Sequence, residues 1–307
     1  MEPLTRTVAG RALPERESRR GTAASSALLI SKPGIAGGVT LAGLSGMVLA
    51  GRGLPPAGQG LLCLACILMA AAGSAVINGL LDREIDSRMR RVASRTEALE
   101  NVGNRGALLF SLALIACSLA VSVRFLNGTA TLLLAGAVAG YTLLYTLFLK
   151  RRSPYGTVPG GIPGALPVLI GYAAIEPCIG ADGFLLFMLM LMWQPPHFWA
   201  LALKCQDEYR SAGVPVLPVV LGEPYTKILV FLYAFALLPL SLCLWWLGYC
   251  SPYFAAAAIV LGAGFLFSCY RNIVATRRFG KAFGASIVYI LGLLLAIIID
   301  ISARAVR

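Results

Sequence analysis

Charge is scarce in this sequence. Only 13% of its 307 residues are Asp, Glu, Lys or Arg, about half the share of an ordinary water-soluble domain. That excludes a globule with a conventional aqueous surface. Acids are the scarcer sign, 14 against 26 Lys and Arg, so the formal net charge is +12. Histidine occurs once, as His197, which rules out a histidine-built metal centre. Among the cysteines, Cys63 and Cys66 have redox or zinc spacing, but "CLAC" lies in an apolar run with no companion His or Cys. There cysteine acts as a small hydrophobe. The first 26 residues are polar and Arg-rich with no apolar core, which argues against a cleaved secretory signal, and Glu2, Glu15 and Glu17 argue against a transit peptide. Residues 1–27 are expected to form a disordered basic cytoplasmic tail ahead of one domain at 28–307.

What the chain has in quantity is hydrophobicity: 58% apolar residues and a mean hydropathy of +0.78. Uncharged stretches exceed the roughly 20 residues that cross a bilayer. Nine spans are predicted, at about 30–50, 60–81, 106–124, 129–149, 157–176, 183–203, 228–248, 253–270 and 282–300. The uncharged run 228–270 is divided by the turn signal "GYCSPY" at 248–253. Cytoplasmic loops retain Lys and Arg, and with the N-terminus inside, the cytoplasmic segments hold 22 of the 26. The other side keeps Arg52, Arg124, Arg304 and Arg307. The positive charge thus reports orientation, N-in and C-out, and no nucleic-acid partner is expected. The fold class is an all-α polytopic membrane protein.

Against this background the stretch "SAVINGLLDREIDSRMRR" at 74–91 stands out. Asn78, Asp82 and Asp86 are four residues apart, so on a helix they share one face over roughly 12 Å, and Glu84 points elsewhere. Three oxygen-bearing side chains in line suit Mg2+, which takes one or two carboxylates and completes its shell with water and phosphate oxygens. The bland reading is a solvated helix end. It is weakened by the position of Asn78 and Asp82 at the inner end of an uncharged run, where ionisable groups are costly. A second polar cluster follows the sixth span on the same side, with Asp207 and Glu208. Two carboxylate groups at one mouth could hold two Mg2+ ions on a diphosphate. Lys150 and Arg151 close the fourth span there, and Arg83 and Arg95 are near in sequence; arginine grips phosphate in bidentate fashion. His197 lies about two turns inside the sixth span, behind Pro195 and Pro196, in a segment expected to be kinked and to line a cavity. "GGIPGALPVLIGY" at 160–172 fits either close approach of a flat ligand or tight helix packing.

"NGLLDREIDSRMRR" resembles the N-x-x-x-D-x-x-x-D signature of the UbiA-type intramembrane prenyltransferases. The version it resembles is that of the protoheme IX farnesyltransferases, the haem O synthases. "SKPGI" at 31–35, "YTLLYTLFLKRRSPYGT" at 141–157, "WQPPHFWALAL" and "DEYRSAGVPVLPVVLG" at 207–222 carry the same resemblance, in order, from about Lys32 onward. Glu208 stands directly before Tyr209 where the family usually has Asp, and Asp207 is one step earlier. The resemblance implies a nine-helix bundle around a central cavity. It implies transfer of farnesyl from farnesyl diphosphate to a vinyl group of haem b, with addition of water, giving haem O and diphosphate. Asn78, Asp82 and Asp86 would hold Mg2+ with Asp207 or Glu208, and Lys32, Arg83, Arg95, Lys150 and Arg151 would bind substrate. Tyr141, Tyr145 and Trp193 would face the cationic isoprenoid. His197 is open to three roles: orienting haem, ligating its iron, or accepting a proton from water. A bacterial inner membrane is implied ahead of the mitochondrial one, and haem A synthase or a terminal oxidase as recipient. The alternatives are prenyl transfer to a quinone or other aromatic acceptor, and a transporter. Against the latter, coupling sites usually lie near the midplane, whereas these acids lie at one mouth.

Overall fold

The computed structural model describes residues 22–306. Most of the predicted tail, 1–21, and Arg307 lie outside the described residues. Among them nine helices are long and apolar enough to cross a membrane: α1 Pro33–Gly51, α2 Ala57–Leu81, α3 Asn104–Phe125, α4 Gly128–Arg152, α5 Thr157–Ile175, α6 Ala181–Lys204, α7 Gly222–Trp246, α8 Pro252–Ala275 and α9 Phe279–Ala305. The chain is a multi-pass membrane protein. In hydrocarbon every backbone N–H and C=O must find a partner within the protein, and a helix meets that demand internally. Leu109, Leu132, Phe235, Val260 and Ile299 project outward, as a lipid-facing surface requires.

Consecutive helices pack as neighbours, α6 packs on α9, and α9 returns to α1. The closest crossing joins α1 to α5. A Cβ on Gly46 would collide with the Val168 carbonyl, and one on Gly171 with the carbonyl of Gly43. Small residues here let two backbones touch, the means of association that remains when lipid is as apolar as the side chains. Tight packing, not a ligand, is therefore the use of the glycines at this crossing. Helix α6 runs unbroken through Pro195 and Pro196.

The first span begins later than predicted. Ala23–Ile30 forms a separate short helix, and the break falls at Lys32, in the left-handed region with φ 51°. Pro33 disfavours ordinary helical geometry for the residue before it. At the same Lys/Arg-rich end, Arg83–Asp86, Arg90–Val92 and Ala93–Val102 lie between α2 and α3. Ile30, Val76, Ala98, Leu99 and Ala107 form a small apolar cluster there. A second cluster joins Met89 and Val92 to Tyr209, Val214 and Val216, fastening this segment to the one after α6.

Candidate active site

Helix α2 ends at Leu81, and Asp82 leaves helical geometry at φ −94°, ψ 5°. The hydrogen-bond ladder nevertheless continues: Asp82 N–H donates to the Asn78 carbonyl at 2.9 Å and Asp86 N–H to that of Asp82 at 2.7 Å. Asn78, Asp82 and Asp86 therefore stay in line across the break. Glu84 turns outward and pairs with Arg88.

Asp82 is fully buried. One of its oxygens accepts from Lys150 Nζ at 2.5 Å and from Asn78 Nδ2 at 2.8 Å. Its other oxygen lies 3.3 Å from Arg151, which also donates to the Leu81 carbonyl at 2.7 Å. The Asn78 amide nitrogen reaches Thr146 Oγ1 as well, at 3.2 Å. With its nitrogen tied, the amide presents its oxygen to a cation, and Lys32 Nζ sits there at 2.5 Å. Lys32 is crowded by burial and then by Arg95, which together push its pKa down to about 8 although Asp86 opposes them. Burial raises the Asp86 carboxyl against the pull of Lys150. Among the described residues Asp86 makes no ion pair; with Lys32, Arg83, Arg95, Val76 and Gly79 it lines a narrow cleft.

These side chains fit a hard cation. Among the described residues no three His, Cys, Asp or Glu side chains converge on one point, so a protein-only cage is absent. The donor set is an amide oxygen and two carboxylates in a row, with ammonium groups already resting on two of them. That suits Mg2+, which draws its remaining ligands from water and phosphate.

Helix α4 supplies the next wall. Gly140–Leu149 is π-helical, with about 4.4 residues per turn, so Tyr141 and Lys150 come to one face where an α-helix would oppose them. Thr146 Oγ1 donates to the Tyr141 carbonyl, five residues back, at 2.8 Å. Tyr141 and Tyr145 stack with centroids 5.8 Å apart. Gly160 leaves room for the Tyr145 ring.

The remaining candidates are tied to other groups. Arg83 pairs with Glu100 and Asn104. Asp207 points to solvent, 96% exposed, in a pair with Arg210. Glu208 accepts from the Arg91 backbone N–H at 3.4 Å, so neither acid joins the Asn78 row directly. The reason is the short helix Gln206–Ser211, which buries Tyr209 and turns Asp207 outward. Trp193 belongs with His197. The imidazole stacks between Trp193 and Phe283, with centroids 4.5 Å away on each side, and its Nδ1 lies 2.7 Å from Ser286 Oγ.

Residues 39–299 match the UbiA prenyltransferase family. A protoheme IX farnesyltransferase from Geotalea uraniireducens (strain Rf4) is 54% identical over 258 residues, 84% of this chain and 100% of that one. The chain belongs to the UbiA prenyltransferase family, in its protoheme IX farnesyltransferase branch. Two solved structures share the fold. One, from work on digeranylgeranylglyceryl phosphate synthase, has a TM-score of 0.74 at 17% identity and covers 92% of this chain and 100% of that one. The other, a UbiA homolog from Archaeoglobus fulgidus bound to GPP and Mg2+, has a TM-score of 0.67 at 17% identity and covers 89% and 99%.

Two features of this UbiA-type site escape sequence reasoning, the part played by Thr146 and the contact made by Arg91. Thr146 is invisible to it because a lone threonine in an apolar span carries no signal. Arg91 donates to the Tyr209 hydroxyl at 2.7 Å and ties the two charged segments together across 118 residues, a contact that spacing cannot reveal.

Proposed function

We propose that the chain transfers farnesyl from farnesyl diphosphate to a vinyl group of haem b, with addition of water, giving haem O and diphosphate. The observation that carries the reading is the buried Asp82 carboxylate, tied to Asn78 and flanked by Lys150 and Arg151 at the charged mouth of a prenyltransferase bundle. Asn78, Asp82 and Asp86 would hold Mg2+, which when bound offsets the charge that grows on the diphosphate as it leaves. Glu208, at the same mouth, is the better placed of the two second-cluster acids to assist.

Lys32, Arg95, Lys150 and Arg151 bind the diphosphate oxygens, and Arg83 borders the same cleft. Their charge acts where negative charge develops in the transition state, in a site largely closed to water. The C–O bond breaks with its electron pair on the diphosphate, and Tyr141 and Tyr145 turn ring faces toward the allylic cation. The vinyl carbon of haem attacks it, and water then adds to the haem-side carbon with loss of a proton. Trp193 and His197 lie against α9, apart from the acid row, and in this reading they form the surface that meets haem.

In this reading the Lys/Arg-rich end, with the N-terminus, faces the cytoplasm of a bacterial inner membrane. Haem O passes to a haem A synthase or terminal oxidase. The test uses membranes containing wild type or Asp82→Asn, with haem b, farnesyl diphosphate and Mg2+, and mass analysis of the extracted haem. A gain of farnesyl plus water is expected for wild type, absent with Asp82→Asn or EDTA. Diphosphate release without a haem adduct would instead point to a different aromatic acceptor.

A further inference from the structure

His197 makes no contact with the acid row, yet its hydrogen bonds fix its chemistry. Ser286 Oγ donates its single proton to the Phe283 carbonyl at 2.6 Å. With that proton committed, Ser286 Oγ meets His197 as an acceptor, and the network assigns the ring proton to Nδ1, 2.7 Å away. The lone pair of the neutral ring is left at Nε2, for which no described residue supplies a donor. Trp193 and Phe283 cover the ring's two sides, and Trp193 is itself fixed by donating to the Ser286 carbonyl at 2.8 Å. The edge bearing Nε2 is what remains, and His197 is only partly buried. A neutral imidazole held through Nδ1–H with Nε2 bare is the arrangement of a metal-ligating histidine. Seven residues on, roughly 10 Å along the same face of α6, the stem of Lys204 lies against Gly280 of α9. Lys204 makes no ion pair among the described residues, which leaves a cation for an anionic ligand edge.

We propose that Ser286 is a positioning residue that holds His197 in its Nδ1–H tautomer, so that Nε2 ligates the iron of the acceptor porphyrin while Lys204 meets a propionate. This rests on haem b being the acceptor.

The test is spectroscopic. Detergent-purified full chain is titrated with haem b, and its visible absorption and resonance Raman spectra are recorded. Wild type should show an iron–imidazole signature, His197→Ala should lose it, and added imidazole should restore it. Ser286→Ala should bind haem about 10-fold or more weakly with a weakened iron–imidazole band. Ser286→Thr, which keeps the hydroxyl, should recover both. Farnesyl diphosphate binding measured on each variant controls for folding. Identical spectra for wild type and His197→Ala would overturn the proposal, as would wild-type affinity and spectrum in Ser286→Ala. Haem that binds and is farnesylated without a histidine signature sinks this inference alone. A folded chain that binds no haem and prenylates another aromatic sinks the acceptor assignment, and this inference with it.

Discussion

Asp82 takes two cations and an amide in a place closed to water. A buried charge is tolerated only when its partners are complete, and removing one member leaves the rest uncompensated. The second cluster contrasts with it. Asp207 is solvated and holds only Arg210, whereas Glu208 is fixed by the Arg91 backbone at the mouth. Asp207→Asn is expected to keep farnesylation within about 2-fold, since exposed pairs contribute little. Glu208→Gln should lower it about 10-fold, an effect of the size seen when a group supporting a metal site is lost. Initial rates of haem O formation at fixed Mg2+ separate the two, and the reverse order would make Asp207 the working acid. The row Asn78, Asp82, Asp86 is legible in the sequence because its partners are four residues apart and helical geometry does the rest. Lys32 lies 46 residues from Asn78, and that approach depends on the break before Pro33.

At the scale of elements, two features decide how the helices meet. Thr146 of the π-helical stretch holds the Asn78 amide nitrogen and so aims its oxygen. Thr146→Val keeps the volume and removes that hydrogen bond. The apparent affinity for Mg2+, read from the metal dependence of turnover, should fall about 10-fold with little change in farnesyl diphosphate binding without metal; an unchanged Mg2+ curve would deny Thr146 this role. The second feature is the α1–α5 crossing. An alanine at Gly46 or Gly171 meets a backbone carbonyl that cannot rotate away, and overpacking of this kind costs about 1–3 kcal/mol or more. Gly46→Ala and Gly171→Ala should lower the thermal midpoint of the purified protein. Gly136→Ala, with open space at the Cβ, should raise it slightly or leave it, since alanine is the better helix former. The small-residue pattern of the fifth span is visible in the sequence, but which helix it touches is not. The π-helix is not legible either, because an apolar run such as "GYTLLYTLFL" reads the same in either helical period.

For the whole molecule, the asymmetry of Lys and Arg is the most informative property the sequence carries, because it counts every loop at once and each span reverses the sign of the test. Two of the four exceptions, Arg52 and Arg304, have structural explanations. Arg52 pairs with the buried Asp182 at 2.8 Å and lies over Tyr249. Arg304 donates to the Tyr249 carbonyl at 2.6 Å and pairs with Asp300, which also receives Ser251. These arginines tie the α1–α2 connection to the start of α6 and to the α7–α8 connection, and the latter to α9, at the far end, so they stay outside the bookkeeping of orientation. Cys178 lies exposed on the α5–α6 connection at that end, which provides a direct probe. In a chain whose only cysteine is Cys178, a membrane-impermeant maleimide should label intact cells stripped of their outer membrane. With Ser211→Cys as the only cysteine, at the opposite end, labelling should require lysis. The reverse pattern would place the Asn78 row on the outer side, away from a cytoplasmic supply of farnesyl diphosphate, and would invert the assigned topology while leaving the fold intact. Labelling of both positions in intact cells would mean that the spans do not seal the charged mouth on one side of the bilayer.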